Sequence, residues 1–184
     1  MLKYIQSTGL DYGRLQEVVD LDALVYPPEL RGTLESISER YKANMEMFIY
    51  AVDGDNKLAG YICFFPISHR LYNAMLGSDT MFDDNIEPED VLPYTQDDDN
   101  NIFLISVVVN PRYAGQGVGT RLMQEMMSYL DAKQQRGCRI NCVMAVTASK
   151  GGEKLLDNFG FYPLRKYDNR CTLVQAKLPL TMRP

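Results

Sequence analysis

Three glycines at every second position, Gly115, Gly117 and Gly119, separate an apolar run that stops at Asn110-Pro111 from an amphipathic run beyond them. The setting is a strand, a glycine loop and a helix. A helix N-terminus presents unpaired backbone N–H groups and roughly half a positive charge from its dipole. Glycines ahead of it let the backbone curve inward and let a bulky anion approach. A phosphate or pyrophosphate is the natural guest. A tight strand-to-helix turn with no ligand is the plainer reading, but one glycine serves a turn and three exceed what it needs.

Two nucleotide signatures are absent. A P-loop ends its glycines in Lys-Ser or Lys-Thr, and no Lys follows here. A dinucleotide fold turns tightly after its strand and ends the next strand in an acid. Here Pro111-Arg112-Tyr113-Ala114 intervenes, the third glycine comes one residue early, and the next apolar run ends in Thr147-Ala148-Ser149.

The elements that must position this loop follow from periodicity. Leu15, Val18, Val19, Leu21 and Leu24 fall near helical spacing, and Pro27-Pro28 stops that helix. A second helix follows, with Thr33 as its cap. "MFIYAVD" and "LAGYICFFPIS" read as a hairpin around "GDNK". His69 to Asn101 is an acidic excursion, longer than an ordinary connection, with no Lys or Arg after Arg70 and a helical turn expected at "EPEDVL". "NIFLISVVV" is continuously apolar and β-branched, as in a strand buried on both faces. Leu122, Met123, Met126, Met127 and Leu130 mark a helix ended by Gly137. Then come a strand over Cys138–Val146, a short helix from Ser149 to Gly160, and a closing hairpin turning at Asn169. The order α-α-β-β-excursion-β-α-β-α-β-β predicts a mixed α/β (α+β) fold in a single domain over residues 1–184, the acidic insertion at about 69–101.

The 184 residues are 46% hydrophobic and 23% charged, with net charge −5, which argues against nucleic acid held on a basic face. Cys63, Cys138, Cys142 and Cys171 form no CxxC pair and His69 is the single histidine, so no metal site is expected. No window reaches the length of a membrane span, and the N-terminus lacks an apolar signal region. A reduced, cytoplasmic protein that engages no membrane is the expectation.

"VVVNPRYAGQGVGTRLM" resembles the acetyl-CoA-binding signature of the GCN5-related N-acetyltransferase superfamily: strand, Pro, [Arg/Gln]-x-x-Gly-x-[Gly/Ala], helix. "SKGGEKLLDNFGFYPL" resembles the superfamily's later helix ending in Gly-Phe, here Gly160-Phe161. The element order agrees over nearly the whole chain. The resemblance implies a mostly antiparallel central sheet flanked by helices, with a V-shaped splay between the strands Asn101–Val109 and Cys138–Val146. It implies acetyl-CoA as co-substrate. The N–H groups of Ala114, Gly115, Gln116, Gly117, Val118, Gly119 and Thr120 would cradle its pyrophosphate, and Val107, Val108 and Val109 would pair with the pantetheine arm. Ser149 stands where many members use Asn toward the pantetheine, and its other reading is a helix N-cap. The loop containing Tyr26 and Glu29 would shape the acceptor site.

Three departures from the pattern stand out. Ala114 replaces the signature's Arg or Gln. Leu156 replaces a Tyr that commonly protonates the leaving thiolate. Phe103 and Ile105 occupy strand positions where some members carry a base. On strand alternation Asp99 shares their face and is the candidate base, against a plain reading of Asp97-Asp98-Asp99 as a solvated run. The excursion reads equally as an edge attracting a cationic acceptor, a solvated flap, or a homodimer contact. The implied activity is N-acetyl transfer to a primary amine of a small molecule or peptide. The alternative is a non-catalytic acyl-CoA-binding or sensor module.

Overall fold

The computed structural model describes residues 1–9, 11–78, 86–167 and 171–179. The expected turn at Asn169 lies outside them, as do Asp79, Asp83 and Asp84 of the excursion. Seven strands, β1 (Lys3–Gln6), β2 (Phe48–Val52), β3 (Leu58–Ile67), β4 (Asp99–Val109), β5 (Arg139–Thr147), β6 (Tyr162–Lys166) and β7 (Thr172–Ala176), form one sheet in the order β1-β2-β3-β4-β5-β7-β6. The pairs β1–β2, β2–β3, β5–β7 and β6–β7 are antiparallel, and β4–β5 is parallel. Residues group into two compact units, 1–63 with 106–126 and 64–105 with 127–184.

In the first unit, β1 (Lys3–Gln6) pairs with β2 (Phe48–Val52), which pairs with β3 (Leu58–Ile67) from Phe48↔Cys63 to Val52↔Leu58. The β2–β3 turn is closed by the Asp53 carboxylate, which accepts from the N–H groups of Asp55 (3.0 Å) and Lys57 (2.9 Å), with Asn56 left-handed at φ 60°. Helix α1 (Tyr12–Val25) is capped by Asp11 and buries Leu15, Val18, Leu21 and Asp22. Helix α2 (Leu34–Ala43) starts in a capping box of Thr33 and Ser36, as the sequence signals. Phe48 stacks on Tyr50 at 5.4 Å and meets Tyr61 edge-on at 5.7 Å.

In the second unit, α3 (His69–Gly77) follows β3, capped by Ser68. The opening of the excursion is therefore a helix, and "EPEDVL" holds the expected 3-10 turn at Pro88–Asp90. Asp90 is 1% exposed and ties the segment down by accepting from Ser68 Oγ (2.5 Å) and pairing with Arg70. β4 (Asp99–Val109) begins two residues earlier than its apolar run predicts. Its ladder with β5 (Arg139–Thr147) runs from Asp99↔Arg139 to Leu104↔Ala145. β7 (Thr172–Ala176) lies between β5 and β6 (Tyr162–Lys166), so the closing hairpin folds back before it joins the sheet. Phe65 meets Phe103 edge-on at 6.3 Å, so Phe103, 2% exposed, is a core residue.

Candidate active site

The first unit contains the glycine loop and its supports. Asn110 N–H donates to Ala59 O (2.9 Å), and the Asn110 side chain accepts from Arg112 N–H (3.0 Å), opening a 3-10 turn at Pro111–Tyr113. Tyr113 donates its hydroxyl to Asp53 (2.8 Å), fixing this turn to the β2–β3 hairpin. The bonds from Lys57 N–H and Tyr113 hold the Asp53 carboxyl below its usual range. Gly60 of β3 lets the end of β4 approach closely, because a β-carbon there would stand 2.6 Å from Val108 O.

The loop then takes two left-handed turns, at Gly115 (φ 75°) and Gly117 (φ 74°). No described protein atom lies within 4 Å of where a β-carbon would stand at either glycine. They are needed for backbone conformation, and the side of the loop they face is open. Helix α4 (Val118–Gln135) begins next, and its first α-turn closes from Arg121 N–H to Gly117 O (3.0 Å). Ala114 N–H and Gln116 N–H are taken up by Pro111 O (3.2 Å) and Tyr113 O (3.3 Å). The N–H groups of Gly115, Gly117, Val118, Gly119 and Thr120 are those at the open helix start. This arrangement fits a diphosphate. Arg112 is exposed nearby, while Arg121 is paired with Glu125 at 2.6 Å and lies over the Tyr4 ring.

β4 is buried from Asn100 to Leu104, half-buried from Ile105 to Val107, buried again at Val108 and half-buried at Val109. Here the structure brings together a polar group that sequence reasoning missed. Tyr26 Oη lies 2.9 Å from Ser106 Oγ, Ser106 Oγ lies 3.2 Å from Tyr61 Oη, and the Tyr61 hydroxyl donates to Asp22 Oδ1. Tyr26 sits at the C-cap of α1, and its carbonyl accepts from Arg31 Nε at 2.7 Å, which fixes the turn holding Glu29. Burial pushes the Asp22 carboxyl up to about 6, against the downward pull of the Tyr61 bond and the Arg40 charge. Burial also drives the Tyr61 phenol well above its ordinary value. The available signal was Asp22 itself, a carboxylate seven residues after Leu15 on the face that α1 turns to the core.

The other predicted residues lie elsewhere. Glu29 is exposed, in the 3-10 turn Pro28–Leu30. Asp99 is the first residue of β4, 54% exposed, and paired with Arg139 at 3.3 Å. His69 begins α3 on the surface, 3.0 Å from Asp98, whose carboxyl this contact holds low. In the second unit, Ser149 caps α5 (Lys150–Asn158) by accepting from Gly152 N–H at 3.1 Å. That helix ends through Gly160 (φ 80°), with Phe161 N–H donating to Leu156 O at 3.1 Å and both Leu156 and Phe161 buried. Among the described residues, no cluster of His, Cys, Asp and Glu could hold a metal ion and no helix is long and apolar enough to cross a membrane.

Comparison by sequence with curated proteins finds no match. Solved structures do match. The loading GNATL domain of CurA from Lyngbya majuscula superposes with TM-score 0.70 at 17% identity, covering 96% of this chain and 98% of that one. Naa50 of Arabidopsis thaliana, in complex with the bisubstrate analogue CoA-Ac-MVNAL, gives TM-score 0.64 at 13% identity, covering 96% and 99%. The PaiA N-acetyltransferase of Thermoplasma acidophilum, in complex with coenzyme A, gives 0.59 at 13% identity, with the same coverage of both chains. At such identities these likenesses show a shared fold. The model of the acetyltransferase (GNAT) family matches residues 15–161, which includes the glycine loop, Tyr26, Ser106 and the Gly160-Phe161 turn. The chain belongs to the GNAT family of acetyltransferases.

Proposed function

We propose that the chain transfers an acetyl group from acetyl-CoA to a primary amine of a small molecule or peptide, by direct attack. The carrying observation is the glycine loop: two left-handed glycines, open on the side a β-carbon would occupy, lead into the first turn of α4, whose N–H groups have no acceptor within the helix. In a GNAT chain that geometry suits the CoA diphosphate, with Gly115, Gly117, Val118, Gly119 and Thr120 as the donors. Val107 to Val109 would supply main-chain partners for the pantetheine arm, and an N–H there would hold the thioester oxyanion. By the family resemblance, Ser149 would contact the same arm.

The reaction needs one proton removed early and one handled late. An alkylammonium of pKa about 10.4 is neutral at pH 7 only about once in 2,500 molecules, a barrier contribution of about 5 kcal/mol unless a base helps. The amine nitrogen then bonds to the thioester carbon, the oxyanion re-forms the carbonyl, and the C–S bond breaks. A thiol pKa of about 8.5 makes thiolate a fair leaving group without an acid. That tolerance suits Leu156, which has no proton to give and is 6% exposed.

The test is calorimetry with acetyl-CoA followed by thiol release with peptide α-amines, polyamines and aminoglycosides. Amine-dependent release supports transfer. Binding without release across the panel favours a non-catalytic acyl-CoA-binding module, the reading that Leu156 and the buried Phe103 recommend. Stabilisation by NAD or ATP in place of acetyl-CoA would overturn both.

A further inference from the structure

We infer that Asp22, Tyr61, Ser106 and Tyr26 form a proton relay that carries the first proton of the acceptor amine from the half-buried Tyr26 hydroxyl to the buried Asp22 carboxylate. The inference rests on the acetyl-transfer reading and adds to it the proton acceptor.

The polarity of the chain follows from counting protons. Each hydroxyl has one proton to donate and lone pairs to accept. Tyr61 gives its proton to Asp22 Oδ1. In the 3.2 Å contact between Ser106 and Tyr61, Ser106 must therefore be the donor. With the Ser106 proton so placed, the 2.9 Å contact with Tyr26 has Tyr26 as donor. All three protons point inward, from Tyr26 to Ser106 to Tyr61 to Asp22, whenever Asp22 is ionised. The Tyr26 oxygen can accept while it donates.

Burial grades the same way as the relay. Tyr26 and Ser106 are half-buried, whereas Tyr61 and Asp22 are 2% and 5% exposed. Ser106 directly precedes the strand residues Val107 to Val109, so the hydroxyl that takes the Tyr26 proton is one residue from the segment proposed for the thioester arm. Other groups around Asp22 do not compete for its proton. Tyr61 and Cys63 of β3 are neutral, both pushed up by burial, and Arg40 of α2 acts on Asp22 through its charge.

The step balances. An ammonium N–H proton passes to Tyr26 Oη, the Tyr26 proton to Ser106 Oγ, the Ser106 proton to Tyr61 Oη, and the Tyr61 proton to Asp22 Oδ1. The neutral amine attacks the thioester carbon. Its second proton departs as the intermediate collapses and ends on the CoA thiolate. Once the product has left, the Asp22 proton passes back to Tyr61, the Tyr61 proton to Ser106, the Ser106 proton to Tyr26 and the Tyr26 proton to water, which restores the inward orientation.

The experiment is kcat for acetyl transfer between pH 5 and 8 in the wild type, Asp22→Asn, Ser106→Ala and Ser106→Thr. The wild type should lose about tenfold per pH unit below a midpoint near 6 and hold a plateau above it, a plateau the amine cannot produce because its own ionisation, near 10.4, would keep the rate climbing through pH 8. Asp22→Asn and Ser106→Ala should lower kcat at pH 7.5 by ~10²-fold or more, the scale of general-base catalysis, and replace the plateau by a rate that climbs throughout pH 5–8 with the amine's own ionisation. Ser106→Thr restores the hydroxyl and should recover most of the rate. Ser106→Ala removes only an oxygen, so it reports on the relay even if Asp22→Asn fails to fold. If the wild type transfers acetyl and Ser106→Ala keeps both the rate and the plateau above pH 6, the relay is wrong and the activity stands. If the wild type binds acetyl-CoA but acetylates no amine, the activity reading fails and the relay falls with it.

Discussion

Replacing Asp22 by Asn should raise the stability of the protein at neutral pH relative to its stability in acid. The Asp22 carboxyl rises from 3.8 to about 6 on folding, chiefly through burial. A raised carboxyl favours the folded state while it is protonated. Its contribution is full below about pH 4 and is lost as pH rises through about 6. The whole shift of about two units corresponds to roughly 3 kcal/mol, of which about 2 kcal/mol falls between pH 4.5 and 7.5. An asparagine in its place stays neutral throughout and can still accept from Tyr61, so the variant lacks that loss. The assay is urea unfolding of both proteins at pH 4.5 and 7.5. Titrations elsewhere cancel in the difference between them. The stability of Asp22→Asn minus that of the wild type should grow by about 2 kcal/mol between the two pH values, with little change in m. A gap that stays constant, or shrinks toward pH 7.5, would refute the claim that Asp22 is held near neutrality by burial. Combined with lost activity, the predicted result would show stability given up for a reactive group.

Other perturbations test the loop and the choice of base. Gly117→Val places a β-branched residue at φ 74°, a strain of about 1–2 kcal/mol; calorimetry should show weaker acetyl-CoA binding. Gly60→Ala sets a β-carbon 2.6 Å from Val108 O, and both the melting temperature and acetyl-CoA affinity should fall as the end of β4 shifts. Asp22→Asn should reduce kcat about tenfold more than Asp99→Asn does, or beyond, on the scale of general-base catalysis. The reverse order would make the exposed, Arg139-paired Asp99 the operative base.

The strand, glycine loop and helix at 101–135 were legible because each has a local cause. The apolar β-branched run, the proline and glycines, and the 3.6-residue apolar spacing need no distant partner. Strand β1 was not legible: four residues exposed and half-buried in alternation become a strand only through pairing with the distant Ile49–Val52 of β2. Helix α3 was hidden by the acidic residues after it, although Ser68 was a readable cap with Leu71 and Met75 at i and i+4. The site divides similarly. Gly115 and Gly117 could be read because positive φ demands glycine. Tyr26 could be singled out beside its prolines, but its partner Ser106 is 80 residues away and Asp22 meets Tyr61 across 39. No local pattern records those meetings. A carboxylate at a core position of α1 was the one trace they left.

The most direct test of the account is release of CoA thiol from acetyl-CoA by the intact chain, followed with and without a primary amine at pH 7.5. The account predicts release that depends on the amine, matched one for one by acetylated product. Saturable binding of acetyl-CoA with no amine-dependent thiol across peptide α-amines, polyamines and aminoglycosides would contradict it.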